Sequence, residues 1–582
     1  MNLALRTAAL LAALTLLASA CTRSPRTTLH IQSAGDCTPV DVSAAPETQW
    51  LLSQAAEQFN ASPAARTATG GCTFVRVESL DAPAALRELL GGWPDASTLG
   101  PAPTAWVPPS SAWSALLNAR LIAQHDPPFA TAGTPIARTP VVVAMPVVMA
   151  EALGYPARPV GWADLGRLAA DPSGWAAYGH PEWGAFHLGF PNPNWATTGL
   201  DASVALYSTP ALAAPAHALQ QSVVYYSDSA QRYLDTWVRL AAARPNLDPM
   251  RFASAVVTDE RTVVAFNEGR TDSAIPGPGD AKSPKLPLVA IAPKDGSIAA
   301  DNPLVVLDAP WTSAGARQGA RAFAKFVIGA STQGTFAAAG YRPVRGPVDT
   351  TLLNARNGVR VARSAAPPLP ISAVDTQRAI NSWQRDRRRA RVLVLFDESD
   401  SMGDHIATHL AAPPTKIALA RPALTAALAE LSPTDEVGVR VFATSLPRHG
   451  DANWADVAPV ASYGPVRGHL LKIVNSLAPY GGSPLYAATH DAYDAMARHL
   501  DRTRIDAVVL VTDGYNEDEH DADLAALLAH LSPRVHIFTI AFSNDADSST
   551  LSKIAAQTNA QYFDARDPTT IGDALTRAFA SF

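Results

Sequence analysis

The sequence predicts an α/β protein made of two successive strand–helix alternations, and three observations predict it. The chain has 582 residues, more than one hydrophobic core usually serves. Hydrophobic residues make up 47% and charged residues 17%, which is a globular balance and not a disordered one. Apolar, β-branched runs such as "TPVVVAMP" (139–146) and "VLVLF" (392–396) recur between stretches of helical spacing. The net charge of -6 gives no reason to expect nucleic acid, because the only basic run is the short "RDRRR" (385–389).

The first residues read as an export signal. Arg6 is a minimal positive region, and "TAALLAALTLLASA" (7–20) is an apolar stretch of signal-peptide length, too short for a comfortable membrane span. It ends in "LASAC", whose small residues before a cysteine resemble the lipobox of bacterial lipoproteins. Ala18 stands where that family more often has Leu, and ordinary cleavage near Ala20 is the alternative. The resemblance implies that residues 1–20 are removed and that Cys21 becomes a diacylated N-terminus, anchored on the extracytoplasmic face of the cell membrane. Cys37 and Cys72 then remain. In an exported chain a leftover pair reads as a disulfide, with two buried free thiols as the alternative.

Between Thr27 and about Gly346 the expected order is strand "TTLHIQSA", helix 46–60 with Trp50, Leu51, Ala55 and Phe59 on one side, strand "CTFVRVESL", and a helix closed by Gly91 and Gly92. A short strand running into "PPSS" and the strong strand 139–146 follow. This order predicts a parallel sheet with helical crossovers. Four segments, "WVPPSSAW" (106–113), "GFPNPNWATTGLDASVALY" (189–207), "PKLPLVAIAPKDGSIAADNPLVVLDAPW" (284–311) and "ARAFAKFVIGASTQGTFAAAGYRPVRG" (320–346), resemble the two-lobed solute-binding proteins of ABC transporters. The resemblance implies a periplasmic-binding-protein-like fold over residues 21–346 and a small-molecule solute. Ser110 and Ser111 after the "WVPP" strand, and Thr197 and Thr198 opening a helix, are candidate ligand contacts, since hydroxyls and free N–H groups at a helix start suit an anion or sugar. Trp113 and Trp195 are candidates to flank the cleft. Capping and core packing are the competing roles for all of these residues.

Residues 347–390 read as a linker, marked by "AAPPLP" (365–370), and a helix with Ala379, Ile380 and Trp383 on one side. From Arg391 to Phe582 the alternation resumes with strands "RVLVLF", "EVGVRVFAT", "DAVVLVT" and "VHIFTIAF" between helices, one of them carrying Pro422, which predicts a kink. That is a doubly wound, Rossmann-like α/β domain, in which sites lie beyond the carboxyl ends of the strands. Asp397 follows "VLVLF", Asp513 follows "VVLVT", and Ser483 sits on the glycine turn "GGSPLY" at a helix start.

The pattern D-x-S-x-S, then G-G-S-P-L, then T-D-G resembles the von Willebrand factor A domain and its metal-ion-dependent adhesion site. The resemblance implies that Ser399, Ser401 and Ser483 bind a divalent metal directly and that Asp397 and Asp513 bind it through water or switch inward. Mg2+, or Mn2+ or Ca2+, is the expected ion, since hard cations take oxygen ligands, and three neutral hydroxyls leave charge to attract a carboxylate from a protein partner. The family usually has Thr where Ser483 stands and Gly where Asp400 stands. Asp404 lies where some relatives begin a second metal site, but His405 follows it instead of an acid. A plain polar turn and a purely structural metal are the alternatives.

Enzymatic readings lack residues. Ser399 stands where haloacid-dehalogenase phosphatases need an Asp, "GGSPL" lacks the last Gly of a nucleophile elbow, no phosphate-binding glycine loop follows a strand, and His520 lies in an acidic stretch. The expectation is a lipid-anchored surface protein, not an enzyme, that binds a protein partner through a metal. A substrate-binding component of an ABC transporter with an accessory second domain is the alternative.

Overall fold

The computed structural model describes residues 33–68, 71–243, 249–270, 286–361, 371–406, 412–518 and 523–582. The signal segment, Cys21, most of the strand expected at 27–34, the 365–370 linker signal and His520 lie outside them. Among the described residues no helix is long and apolar enough to cross a membrane.

The first domain has two lobes, each built on one sheet. The first sheet runs in the order Thr73–Ser79, Thr38–Ala44, Ala105–Val107, Pro303–Val306, Thr134–Pro135. Its first three strands are parallel, and helix Pro46–Ala61 connects two of them, with Pro46 at its first position and Leu51, Leu52, Ala55, Ala56 and Phe59 buried. Cys37 and Cys72 form a disulfide, each one residue ahead of a strand whose first residues, Thr38 and Thr73, face each other in register. The covalent link therefore pins the open end of that strand pair, and the two-thiol alternative falls.

Among the described residues the second sheet has seven strands and runs Ala299–Ala300, Ala137–Pro146, Ala255–Asp259, Leu188–Pro191, Val223–Ser227, with Leu288–Ile291 and Arg342–Pro343 also paired to Ala137–Pro146. Neither sheet is wholly parallel, which corrects the sequence expectation. Strand Ala137–Pro146 is antiparallel to Ala255–Asp259, and Pro303–Val306 is antiparallel to Ala105–Val107. The chain passes directly from one lobe to the other at these strands, without a crossover helix, so each arrives with its direction reversed.

Helix Ala373–Asp386 opens with Ser372, whose hydroxyl accepts from the Asp375 N–H, and buries Ala379, Ile380 and Trp383 as the spacing predicts. It packs on helices Ser111–Ala123 and Thr197–Tyr207 of the first domain. The chain then enters the second domain through Arg387, buried against Asp435. Asp435 also accepts from the N–H groups of Ala390 and Ser432, so its buried charge is fully partnered.

The second domain holds a six-stranded sheet ordered Ala452–Ser462, Glu436–Leu446, Arg389–Asp397, Arg504–Thr512, His536–Phe542, Tyr562–Ala565. All pairs are parallel except the first. That antiparallel edge strand was not anticipated, because most of it is half-exposed and its sequence lacks a long apolar run. Pro422 lies inside helix Lys416–Leu428.

The two domains share a core. Strand Val223–Ser227 ends the second lobe's sheet and is covered by the second domain: Tyr226 N–H donates to the Ser581 carbonyl at 2.9 Å, and Gln561 Nε2 donates to Ser227 Oγ at 3.1 Å. The Tyr225 ring meets Phe538 and His536 at centroid distances of 5.3 and 5.2 Å. One apolar cluster runs continuously from this lobe into the second domain. An edge strand with open N–H and C=O groups is thereby closed off.

His536 makes this seam sensitive to acid. Burial pushes its pKa from 6.5 down to about 4, the bond from its Nδ1 to the Thr558 carbonyl opposes that, and the nearby Arg388 adds to it. The unfolded chain therefore binds a proton that the folded chain refuses. The stability involved is whole above pH 6.5 and is lost as pH falls towards 4; His187, also depressed by burial, acts in the same direction. Equilibrium unfolding should show a loss of roughly 3 kcal/mol across that window from His536. His536→Gln should flatten the slope; an unchanged slope would remove His536 as its source.

Candidate functional site

The parallel strands of the second domain bring Asp397 and Asp513 to one edge. Asp397 is the last residue of its strand, and its neighbour Phe396 pairs with Val511, which places Asp513 just beyond Thr512 on the adjacent strand. The chain then turns: Ser399 N–H donates to Asp397 Oδ1 at 2.7 Å, and a short 3-10 turn, Asp400–Gly403, carries Ser401 back over the edge. Ser483 arrives from a third segment. Gly481 has φ +55, and a Cβ there would collide with the Thr444 carbonyl, so the turn that delivers Ser483 requires glycine.

All five residues join one hydrogen-bond network. Ser399 Oγ lies 3.0 Å from Ser401 Oγ, Ser401 Oγ donates to Asp513 Oδ1 at 2.8 Å, and Ser483 Oγ donates to Asp397 Oδ2 at 3.2 Å. Asp397 and Asp513 are fully buried, and Ser399 and Ser483 nearly so. Asp404 is exposed, with Oδ2 4.0 Å from Lys416 Nζ, and His405 Nδ1 is 2.7 Å from the Pro413 carbonyl.

Three partners were not anticipated. Thr512 Oγ1 donates to Asp397 Oδ2 at 2.5 Å. Lys416, buried at the start of its helix, donates to Asp513 Oδ2 at 2.7 Å and to Asp545 Oδ2 at 3.0 Å. Thr512 was legible as the residue before the strand-end acid, whereas nothing local marks Lys416 or Asp545. Burial raises the Asp397 pKa to about 6, the Asp513 charge adds to it, and the Ser399 and Thr512 bonds oppose it. Burial likewise raises Asp513 against the pull of Lys416. For Lys416, burial works against the ammonium, but the bonds and charges of Asp513 and Asp545 outweigh it and hold its pKa above the ordinary value.

The donor set is three hydroxyls and two carboxylates, with no thiol or imidazole, which suits a hard divalent cation and not a soft one. Each serine oxygen keeps a lone pair after donating its proton. The residues therefore fit a metal. The Lys416 ammonium already satisfies one oxygen of Asp513, a partner that any cation would have to share.

In the first domain, Thr197 and Thr198 line the cleft between the lobes, as does Trp195. Ser110 and Ser111 are directed elsewhere: Ser110 Oγ caps its helix and donates to Asp201 at 2.8 Å, and Ser111 Oγ donates to Asp301 at 2.6 Å. Trp113 is fully buried, its Nε1 donating to Thr197 Oγ1 at 2.8 Å, so it positions Thr197 from within the core. Trp195 Nε1 donates to Glu430 of the second domain at 3.2 Å.

Comparison with known proteins gives two families. The one described as bacterial extracellular solute-binding protein matches residues 40–342, just over half of the chain, and the one described as von Willebrand factor type A domain matches residues 392–577. Curated proteins gave no match. Among solved structures, a von Willebrand factor type A protein from Catenulispora acidiphila is 21% identical with a TM-score of 0.28; the match covers 33% of this chain and only 42% of that protein's length. The sulfate-binding protein SubI from Mycobacterium tuberculosis is 18% identical (TM-score 0.33) over 60% of this chain and 97% of that one. A zinc-occupied form of proximal thread matrix protein 1 from the mussel byssus is 13% identical (TM-score 0.25) over 33% of this chain and 47% of that one. On the two family matches, the chain belongs to the bacterial extracellular solute-binding proteins and carries a von Willebrand factor type A domain behind the solute-binding one.

Proposed function

We propose that the protein is a binding protein of the cell surface, held to the membrane by acyl chains on Cys21, whose second domain takes up a divalent cation and through it a carboxylate of a protein partner. The observation that carries this reading is the convergence of Asp397, Ser399, Ser401, Ser483 and Asp513 in one network at the carboxyl edge of the sheet. These residues would hold the metal; when bound, it supplies a positively charged position that an outside acid can fill. Mg2+ suits the set best, because few charged ligands leave it electrophilic and it readily keeps waters. The role is recognition, not catalysis. The alternative, solute capture for an ABC-type transporter, is favoured by one observation: an inter-lobe cleft of about 350 Å3 with Thr197 and Thr198 on its wall.

Calorimetry with Mg2+ and Mn2+ tests the metal. The parent should bind; Asp397→Ala and Ser483→Val should not, while Ser483→Thr should, because it keeps the oxygen. Uptake by Asp397→Ala equal to that of the parent would end the proposal.

Lys416 gives a second, sharper expectation. Its charge repels a cation at the network and ties up an oxygen of Asp513. Lys416→Met should bind Mg2+ about tenfold more tightly, even after allowing for a high effective dielectric. A weaker affinity would mean that Lys416 serves chiefly to hold Asp513 in place.

For anchoring, Cys21→Ser should move the protein from the membrane fraction to the soluble one or leave its signal uncleaved. A native protein that is soluble and unacylated at residue 21 would overturn that part of the reading.

A further inference from the structure

The cleft between the lobes is lined by more than the first domain. Four carboxylates reach it from the ends of strands in both sheets: Glu47 beyond Thr38–Ala44, Asp81 beyond Thr73–Ser79, Asp228 beyond Val223–Ser227, and Asp259 at the end of Ala255–Asp259. Among the described residues that line it, only two are basic, Arg261 and Arg577. Arg261 Nη1 donates to the Tyr341 hydroxyl at 2.7 Å and its Nε to the Ala339 carbonyl at 3.1 Å, and its charge acts on Glu47. Arg577 belongs to the second domain.

Its guanidinium spans the cleft. Nη2 donates to Asp81 Oδ2 on the first lobe at 3.3 Å, and Nη1 donates to Asp228 Oδ2 on the second at 3.1 Å. Nε donates to Asp573 at 2.7 Å, one turn back on the same helix, which fixes the direction of the side chain. The helix itself, Ile571–Phe579, is packed into the second domain. It buries Ile571, Ala574, Leu575, Ala578 and Phe579, packs on helix Lys416–Leu428, and is followed by Ala580, whose carbonyl accepts from Asn192 Nδ2 of the second lobe at 2.9 Å. Among the described residues, two buried polar atoms on the cleft wall, Thr258 Oγ1 and Glu47 Oε2, have no hydrogen-bond partner. Asp228 is also bound by Arg232, and Asp81 and Asp259 cap helices, so the open carboxylate oxygen of this acidic cleft is Glu47 Oε2, which suits a positively charged group that donates hydrogen bonds.

We propose that the inter-lobe cleft recognises a guanidinium- or amine-bearing solute, and that Arg577 of the second domain occupies this place in cis, tying the two lobes together as such a solute would. A cationic solute then competes with a side chain tethered in the same molecule, and an anion such as sulfate finds no favourable site. The inference rests on the solute-capture reading of this cleft and stands apart from the metal network, since none of its residues is shared.

The test measures the distance between the lobes in the full chain, by electron–electron resonance between spin labels at Gln58→Cys and Glu151→Cys, both exposed and on opposite lobes. The expected parent distribution is narrow. Arg577→Gln should broaden it, and agmatine, with one guanidinium and one amine, should narrow it again, while sulfate and phosphate should not. Agmatine should also bind Arg577→Gln about tenfold more tightly than the parent, since a competing occupant has been removed. Asp81→Asn cuts the same link from the first lobe and serves if Arg577→Gln fails to fold. A distribution as narrow as the parent's in either folded variant, or narrowing by sulfate or phosphate in place of agmatine, would overturn the proposal.

Discussion

Two carboxylates, Asp397 and Asp513, are buried at the end of adjacent strands, and much of the second domain's edge is arranged around keeping them there. Neither can be ionised in a dry setting without donors, and the Asp513 charge raises the Asp397 pKa further. Thr512, Ser399, Ser401, Ser483 and Lys416 supply those donors from four segments far apart in sequence. The glycine turn at Gly481 exists because one of these donors has to approach against the Thr444 backbone. The network is thus a requirement of the folded state before any ligand is considered.

The same physical problem recurs between the lobes of the first domain, with a different answer. There too acids converge because parallel strands deliver their carboxyl ends to one side. In the second domain the neutralising cation is Lys416, from within the same fold. In the cleft it is Arg577, lent by a neighbouring domain, with Asp228 also held by Arg232. The domains are consequently one electrostatic unit as well as one apolar one.

The ordering of the main elements was legible in the sequence because apolar runs of strand length and helical spacing mark them, and both families were legible through the resemblance of segments such as "WVPPSSAW" and the D-x-S-x-S motif. The acids and hydroxyls of the network were legible because Asp397 and Asp513 stand at strand ends and Ser399, Ser401 and Ser483 lie in the short polar turns beside them. What stayed hidden depends on distance. Lys416 sits 97 positions from Asp513, with no local pattern tying one to the other. Ser110 and Ser111 had the right chemistry for a ligand site, but the hydroxyls turn to Asp201 and Asp301, partners 91 and 190 positions away. The antiparallel strands escaped notice because direction is set by where the chain comes from, which composition does not record. The half-exposed edge strand Ala452–Ser462 lacked the apolar run on which strand recognition rests.

The covering of strand Val223–Ser227 has a consequence for how the molecule is made. Asn192, at the end of the neighbouring strand, meets its partner Ala580 across 388 positions of chain. The backbone edge of Val223–Ser227 and the Tyr225 ring thus stay without their native cover until residues 536–581 have emerged. Loop closure over such a span is slow relative to local pairing, and an open sheet edge is a template for another chain in the meantime. A chain that emerges from its N-terminus first therefore has this edge of its first domain covered only once the second domain has been made.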